Sequence, residues 1–237
     1  MAISTTRVVC LLCVVLAGCK TNNLAPTPIS TTATQNPVLS LTVLQDSAAA
    51  DGVLVNKLAF SGGQHGTSFY SSVTFTISPV GVFSNGSTTQ TLAIDVNGQA
   101  TAFVSSQTAG TSTVVATVNG ATVQTSTTFV MAWPDQINIQ ADSTFLMPLP
   151  GTSTNVTATL VRNSGKVSLG EYVSFSDSTA VDSTIGVFGK PALSDASGLV
   201  TTTYTEQDSS YHGFVYLIGK VMTSSGQVEG RGQIKIR

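Results

Sequence analysis

Three cysteines, two histidines and twelve carboxylates are the side chains of this 237-residue chain with the chemistry of nucleophiles, bases or metal ligands. Their spacing argues against most such uses. His65 and His212 stand in neither an H-E-x-x-H pattern nor any other spacing suited to holding a metal ion. No G-x-S-x-G elbow presents a serine nucleophile, and no P-loop cradles a phosphate. The acidic residues form no pair placed for glycoside hydrolysis. Serines are so numerous that a Ser/His/Asp arrangement carries no information. The chain reads as a non-enzyme, with no cofactor and no metal site implied.

The cysteines are informative by position. Cys10, Cys13 and Cys19 crowd the first twenty residues and none follows. Arg7 supplies a positive charge, and residues 8–17 are almost wholly apolar. That run is too short to span a bilayer, which needs roughly 20 helical residues, and it fits a signal peptide. It ends in Leu16-Ala17-Gly18-Cys19, which resembles the bacterial lipobox of a leucine and two small residues before a cysteine. The resemblance implies that the Cys19 thiol is diacylated and the chain is cut before it. Residues 1–18 then leave as a lipoprotein signal peptide, taking Cys10 and Cys13 with them. The competing reading is an ordinary secretory signal with a chance cysteine. Two acyl chains plus an N-acyl group suffice for stable membrane anchoring through Cys19. No thiol remains to pair, so a disulfide framework is excluded and stability rests on core burial. Residues 19–38, the lipidated cysteine and a polar, Thr-rich stretch with Pro26, Pro28 and Pro37, read as a disordered tether. Its mean reach is on the order of 25 Å.

Charged residues make up 9% of the chain, and the formal net charge is −2. A usual share is about 25%. With no basic patch to neutralise phosphates, nucleic-acid binding is excluded. Short alternating Val/Thr/Phe/Tyr runs recur between Gly, Asn, Asp and Ser turns, the pattern of an all-β sandwich. Seven candidate strands fill residues 39–131: LSLTVLQ, VLVNKLAF, SVTFTI, TLAID, QATAFVSS, STVVATVN and ATVQTSTTFVM. Asn119-Gly120 joins the last two as a type I′ hairpin. The pattern then repeats. Val73 and Phe75 return as Val173 and Phe175, and Asp95 and Gly98 return as Asp195 and Gly198. The organisation expected is two tandem immunoglobulin-like sandwiches, residues 39–132 and 133–237.

The segment TLAIDVNGQATAFVSSQTAGTSTVVATVNG resembles the bacterial immunoglobulin-like domains of the invasin/intimin type, group one. Those domains carry a D-x-x-G turn, a small-residue strand ending in Ser, an A-G-T loop, a V-x-A strand and N-G. Asp95, Gly98, Ala100, Ser105, Ala109, Gly110, Thr111, Val114, Ala116 and Gly120 match in place. The second copy keeps Asp195 and Gly198, but SSYHG replaces the A-G-T loop and the V-x-A alanine is lost. The resemblance implies extracellular spacer or adhesion modules on a bacterial surface. Asp95, Gly98, Asp195 and Gly198 are turn-forming, since an Asp carboxylate accepts backbone N–H groups and Gly takes the left-handed position.

Alternating strands place the loops after the first, third and fifth strands of the second copy at the end far from the tether. There the apolar run at Phe145, Leu146 and Met147 and the pair Tyr211-His212 form a candidate tip for an unknown protein or glycan. The competing reading of Phe145 to Pro150 is a first strand kinking between sheets, with Phe145 and Leu146 inside. Phe75, Phe103 and Val115, with Val173, Phe175 and Tyr204, are expected to line the cores. At Ala132-Trp133-Pro134-Asp135 a stiffened junction should bring residues 107–111 against residues 163–170, with Trp133 partly covered. Asp46-Ser47-Ala48 and the Asp-Ser-Thr triplets at Asp142, Asp177 and Asp182 resemble an acceptor motif for bacterial O-glycans. Together these features point to a lipid-anchored cell-envelope protein acting as structural spacer or adhesive module, with the outer membrane favoured. The alternative is an accessory subunit of an envelope enzyme, transport or secretion complex.

Overall fold

A computed structural model of the chain describes residues 38–62, 70–190 and 193–237. Cys19 and residues 1–37, which hold the expected signal and all but the last residue of the expected tether, lie outside the described residues, as does His65. The described residues form an all-β structure with two separate apolar cores, one running from Leu41 to Phe129 and one from Ile137 to Ile236.

Around the first core, one sheet holds β1 (Ser40–Gln45), β3 (Asn56–Ser61), β7 (Gln99–Ser105) and β5 (Val82–Phe83), in that order. The facing sheet runs β2 (Ala48–Ala49), β9 (Ala121–Val130), β8 (Gly110–Val118), β4 (Ser72–Ser78) and β6 (Thr89–Ala93). The hairpin between β8 and β9 turns at Asn119 and Gly120, with φ of 45° and 82°, as a type I′ turn requires. The sequence pattern missed the break in the first strand, which crosses from one sheet to the other at Asp46-Ser47. Asp46 Oδ1 accepts the Thr127 hydroxyl at 2.8 Å, the Thr128 N–H at 2.8 Å and Asn56 Nδ2 at 3.3 Å. Those donors pin the corner, and Ser47 takes φ 61° to turn it.

Phe75 lies fully buried, edge-on to Phe60 with centroids 6.3 Å apart and 6.1 Å from Phe83. Phe103 and Val115, expected in this core, face the other way. Alternation along β7 turns Ala100, Ala102 and Val104 inward, leaving Phe103 41% exposed with Lys57 Nζ 5.9 Å from its ring centroid. Along β8 the inward residues are Val114, Ala116 and Val118, so Val115 sits on the outer face. Phe60, Phe75 and Phe83 already fill the interior, and the strands opposite supply small residues to it.

The second core lies between β10 (Gln136–Ala141), β12 (Ser153–Val161), β15 (Leu199–Glu206) and β14 (Gly186–Phe188) on one side. On the other are β11 (Phe145–Leu146), β17 (Gly226–Ile236), β16 (Gly213–Thr223) and β13 (Val173–Thr179). Val173 and Tyr204 are buried as expected, and Phe175 is partly buried against the core. β10 packs so closely on β17 that a Cβ at Gly230 would strike the Ile137 carbonyl. The two sandwiches differ at one edge. β4 pairs with β8 on one side and β6 on the other, whereas among the described residues β13 pairs as a strand only with β16.

Between the cores, Ala132 and Ser168 exchange two bonds, the Ala132 N–H to Ser168 Oγ at 2.8 Å and the Ser168 N–H to Ala132 O at 3.1 Å. The Ser168 hydroxyl donates to Ala50 O at 3.0 Å, and the Leu169 N–H donates to Gln107 O at 2.8 Å. Arg162 Nη1 meets the buried Asp51 carboxylate at 3.1 Å. Residues 107–111 and 163–170 therefore touch through Leu169 and Gln107. Trp133 is partly buried and Pro134 buried.

Candidate partner-binding tip

The turn residues use their side chains internally. Asp95 Oδ1 accepts the N–H groups of Asn97 and Gln99 at 2.9 and 2.8 Å, with Gly98 at φ 76°. Asp195 Oδ1 accepts those of Ser197 and Leu199 at 2.7 and 3.0 Å, with Gly198 at φ 78°. The two turns are the same local structure, with one oxygen of each carboxylate engaged in the turn. Among the described residues no group of three or more His, Cys, Asp and Glu is placed to hold a metal ion.

The loops between β11 and β12, β13 and β14, and β15 and β16 gather at one end of the second sandwich. The Gly151 N–H donates to Glu206 O at 2.9 Å and the Gln207 N–H to Ile185 O at 2.9 Å, tying the three together. The candidate tip residues divide within this end. Alternation in β11 puts Phe145 outside at 55% exposure and Leu146 inside at 4%, while Met147 is 59% exposed. Leu146 is thus a core residue, not part of the tip surface, because β11 is the first strand's continuation in the opposite sheet. The kinked-strand reading holds for Leu146 and fails for Phe145. Tyr211 folds back, its hydroxyl donating to Phe214 O at 2.8 Å, and packs partly buried against the core. His212 is exposed.

Sequence reasoning missed residues that complete this surface. Phe145 opposes Lys235 across the β11–β17 pair, and Lys235 opposes Phe214 across the β17–β16 pair. Lys235 Nζ stands 5.3 Å from the Phe214 centroid, and the Arg237 guanidinium 5.5 Å from that of Phe145. Leu149 and Val181 add exposed apolar area at the same end. The result is a contiguous row of rings and cations in a chain otherwise poor in charge. Cation–ring contacts of this kind are worth about 0.5–1 kcal/mol at exposed sites. Such a row suits contact with a ligand that is both apolar-faced and polar.

Beneath the tip lies a polar cluster that sequence reasoning also passed over. Asp177 Oδ2 accepts the Tyr204 hydroxyl at 3.0 Å and the N–H groups of Ile185 and Gly186 at 2.9 and 3.0 Å. Burial, and then the Asp177 carboxylate, push the Tyr204 hydroxyl far above its ordinary ionisation range. Glu206, fully buried two residues along β15, has no hydrogen-bond partner for either carboxylate oxygen among the described residues. Strand parity was the available signal, since Val200, Thr202, Tyr204 and Glu206 share a face. Of the Asp-Ser motifs, Ser47 and Ser183 are exposed, while Ser143 and Ser178 are partly buried.

No protein-family model matches the chain, and no curated protein sequence matches it. Solved structures do. The crystal structure of invasin, a bacterial integrin-binding protein, is 21% identical with a TM-score of 0.60 over 84% of this chain and 39% of that one. The Yersinia pseudotuberculosis adhesin InvE is 17% identical with a TM-score of 0.54 over 84% of this chain and 58% of that one. The chain has the invasin/intimin-type immunoglobulin-like fold. It spans less than two thirds of either structure's length. Within this fold, the repeated D-x-x-G turns shape the scaffold, and Phe145, Met147, Leu149 and Val181 are exposed at one end of the second sandwich.

Proposed function

We propose that the chain is a lipid-anchored protein of the bacterial cell envelope, with the outer membrane favoured and acylated Cys19 as its anchor. Its two sandwiches, residues 39–132 and 133–237, serve as spacer and as adhesive module, and a protein or glycan binds at the distal tip. The observation that carries the binding role is the row of exposed Phe145, Phe214 and Arg237 with partly buried Lys235 among them and exposed Met147 beside it. Likeness in fold to a bacterial integrin-binding protein and to an adhesin supports the same reading. Rings cover apolar faces of a partner, and the two cations select against a positively charged one.

The test uses the full chain against immobilised glycan and glycoprotein panels. A Phe145→Ser/Met147→Ser pair, exposed in the native fold, should lower the melting temperature only slightly, by the lost Arg237–Phe145 contact, and weaken retention about tenfold or more. Equal retention of native and variant, or none by the native chain, contradicts the reading. For the anchor, a Cys19→Ser variant should move from the detergent phase to the aqueous phase on partitioning; persistence in detergent contradicts it.

A further inference from the structure

Among the described residues the second sandwich has one strand fewer than the first, at the outer edge of β13, and the backbone there is turned outward. Thr179 donates its N–H to Ser183 O at 2.9 Å and accepts the Asp182 N–H at 3.1 Å, so its backbone points away from β16. Residues two apart along an antiparallel strand share an edge. Val173, Phe175 and Asp177 therefore also turn their N–H and C=O groups away from β16. Both ends of this edge are closed, by Ser183 on Thr179 and by the bridge between Tyr172 and Leu193, which takes up the Val173 N–H, so the open stretch is Phe175 and Asp177. Between the closures it faces a cleft of about 420 Å³ lined by Tyr172, Phe175, Asp177, Thr184, Val187 and Phe188. Phe175 and Phe188 stack across it with centroids 5.4 Å apart.

We propose that this slot takes an extended peptide strand from a partner protein, antiparallel to β13, with a Lys or Arg where the peptide passes Asp177. The first sandwich shows the occupant's geometry. On β4, the counterpart of β13, β6 lies antiparallel with Leu92 opposite Val73 and Gln90 opposite Phe75. Main-chain bonds along such an edge give affinity, and alternate side chains give selectivity. Charge complementarity supplies the cation. The ion pairs among the described residues are Arg162–Asp51, Lys220–Glu229 and Arg231–Glu229, and none reaches Asp177. Glu206, fully buried and directly across the ladder from Gly186 in the cleft wall, adds a second carboxylate to this region, and neither of its oxygens has a hydrogen-bond partner among the described residues. The end closures favour a single strand over a second copy of this chain, because both copies' edges would be recessed alike.

Two peptides test this with the full chain. One is STTQTLAI, residues 87–94 of this sequence, and the other carries Lys at the position of Thr88, which the register of β4 and β6 sets opposite the Asp177 site. By fluorescence anisotropy the Lys peptide should bind about tenfold more tightly than the parent. Its binding should slow amide exchange at Phe175 and Asp177. In Asp177→Asn the preference should fall to near unity with the parent peptide still bound. If that variant does not fold, the exchange pattern of the native chain decides. No binding of either peptide at millimolar concentration, or protection confined to other strands, overturns the proposal. So does concentration-dependent protection of those two amides in the chain alone, which would assign the edge to self-association.

Discussion

The N–H of Leu169 donates to the carbonyl oxygen of Gln107 across 2.8 Å, joining a loop of the second sandwich to a loop of the first. Beside it the buried Ser168 hydroxyl bonds Ala50 O and receives the Ala132 N–H. Ser168→Ala strands both groups out of water, at about 1–3 kcal/mol. We expect the two sandwiches then to melt as separate transitions by calorimetry, and Trp133 emission to shift to the red. One unchanged transition would mean that Ser168 does not couple them.

Register in the first sandwich is tested by a pair of phenylalanines. Phe75→Ala removes a fully buried ring and should cost about 3–5 kcal/mol. Phe103→Ala loses an outward ring and its Lys57 contact, and should cost under about 1 kcal/mol. Comparable denaturation midpoints for the two variants would place β7 in the other register.

That contrast marks how much was legible in the sequence. Short alternating runs and Asn119-Gly120 reveal the strands because period two and turn chemistry are local. The face of β7 was ambiguous because ATAFVS carries apolar residues on both parities. The corner at Asp46 was hidden because its donors, Thr127 and Thr128, lie some eighty residues away. At the tip, Phe145, Met147 and His212 were found from composition against loop expectation. Phe214, Lys235 and Arg237 were not, because only the pairing of β11, β17 and β16 brings them together.

Tyr204 sets an alkaline limit. Its hydroxyl ordinarily ionises near 10.0, and burial with the Asp177 carboxylate raises that in the fold. Above pH 10 the unfolded chain loses this proton while the folded chain keeps it, so stability falls as pH rises. Denaturant midpoints between pH 8 and 11 should decline, and Tyr204→Phe should flatten the decline. The same variant should cost about 1.5–3 kcal/mol at pH 7, because Asp177 loses a donor. A Tyr204→Phe profile with the native slope would assign the decline to other groups.

Gly230 lets β10 lie against β17. A methyl there meets the Ile137 carbonyl, so Gly230→Ala should force the strands apart at about 1–3 kcal/mol. Gly226→Ala, in open space at φ 140°, carries backbone strain without that clash. A smaller midpoint loss at Gly230 than at Gly226 would contradict the close packing.

The proposed surface module would be held by lipid at Cys19 with the loop before Tyr211 facing outward. Ser209, exposed in the loop before Tyr211, offers the direct test. The mature chain is expected to carry no free thiol, so Ser209→Cys introduces a single label site. A membrane-impermeant maleimide applied to intact cells should label that variant fully. With Cys19→Ser added, the label should leave the membrane fraction. Labelling that appears only after the outer membrane is permeabilised would contradict the account.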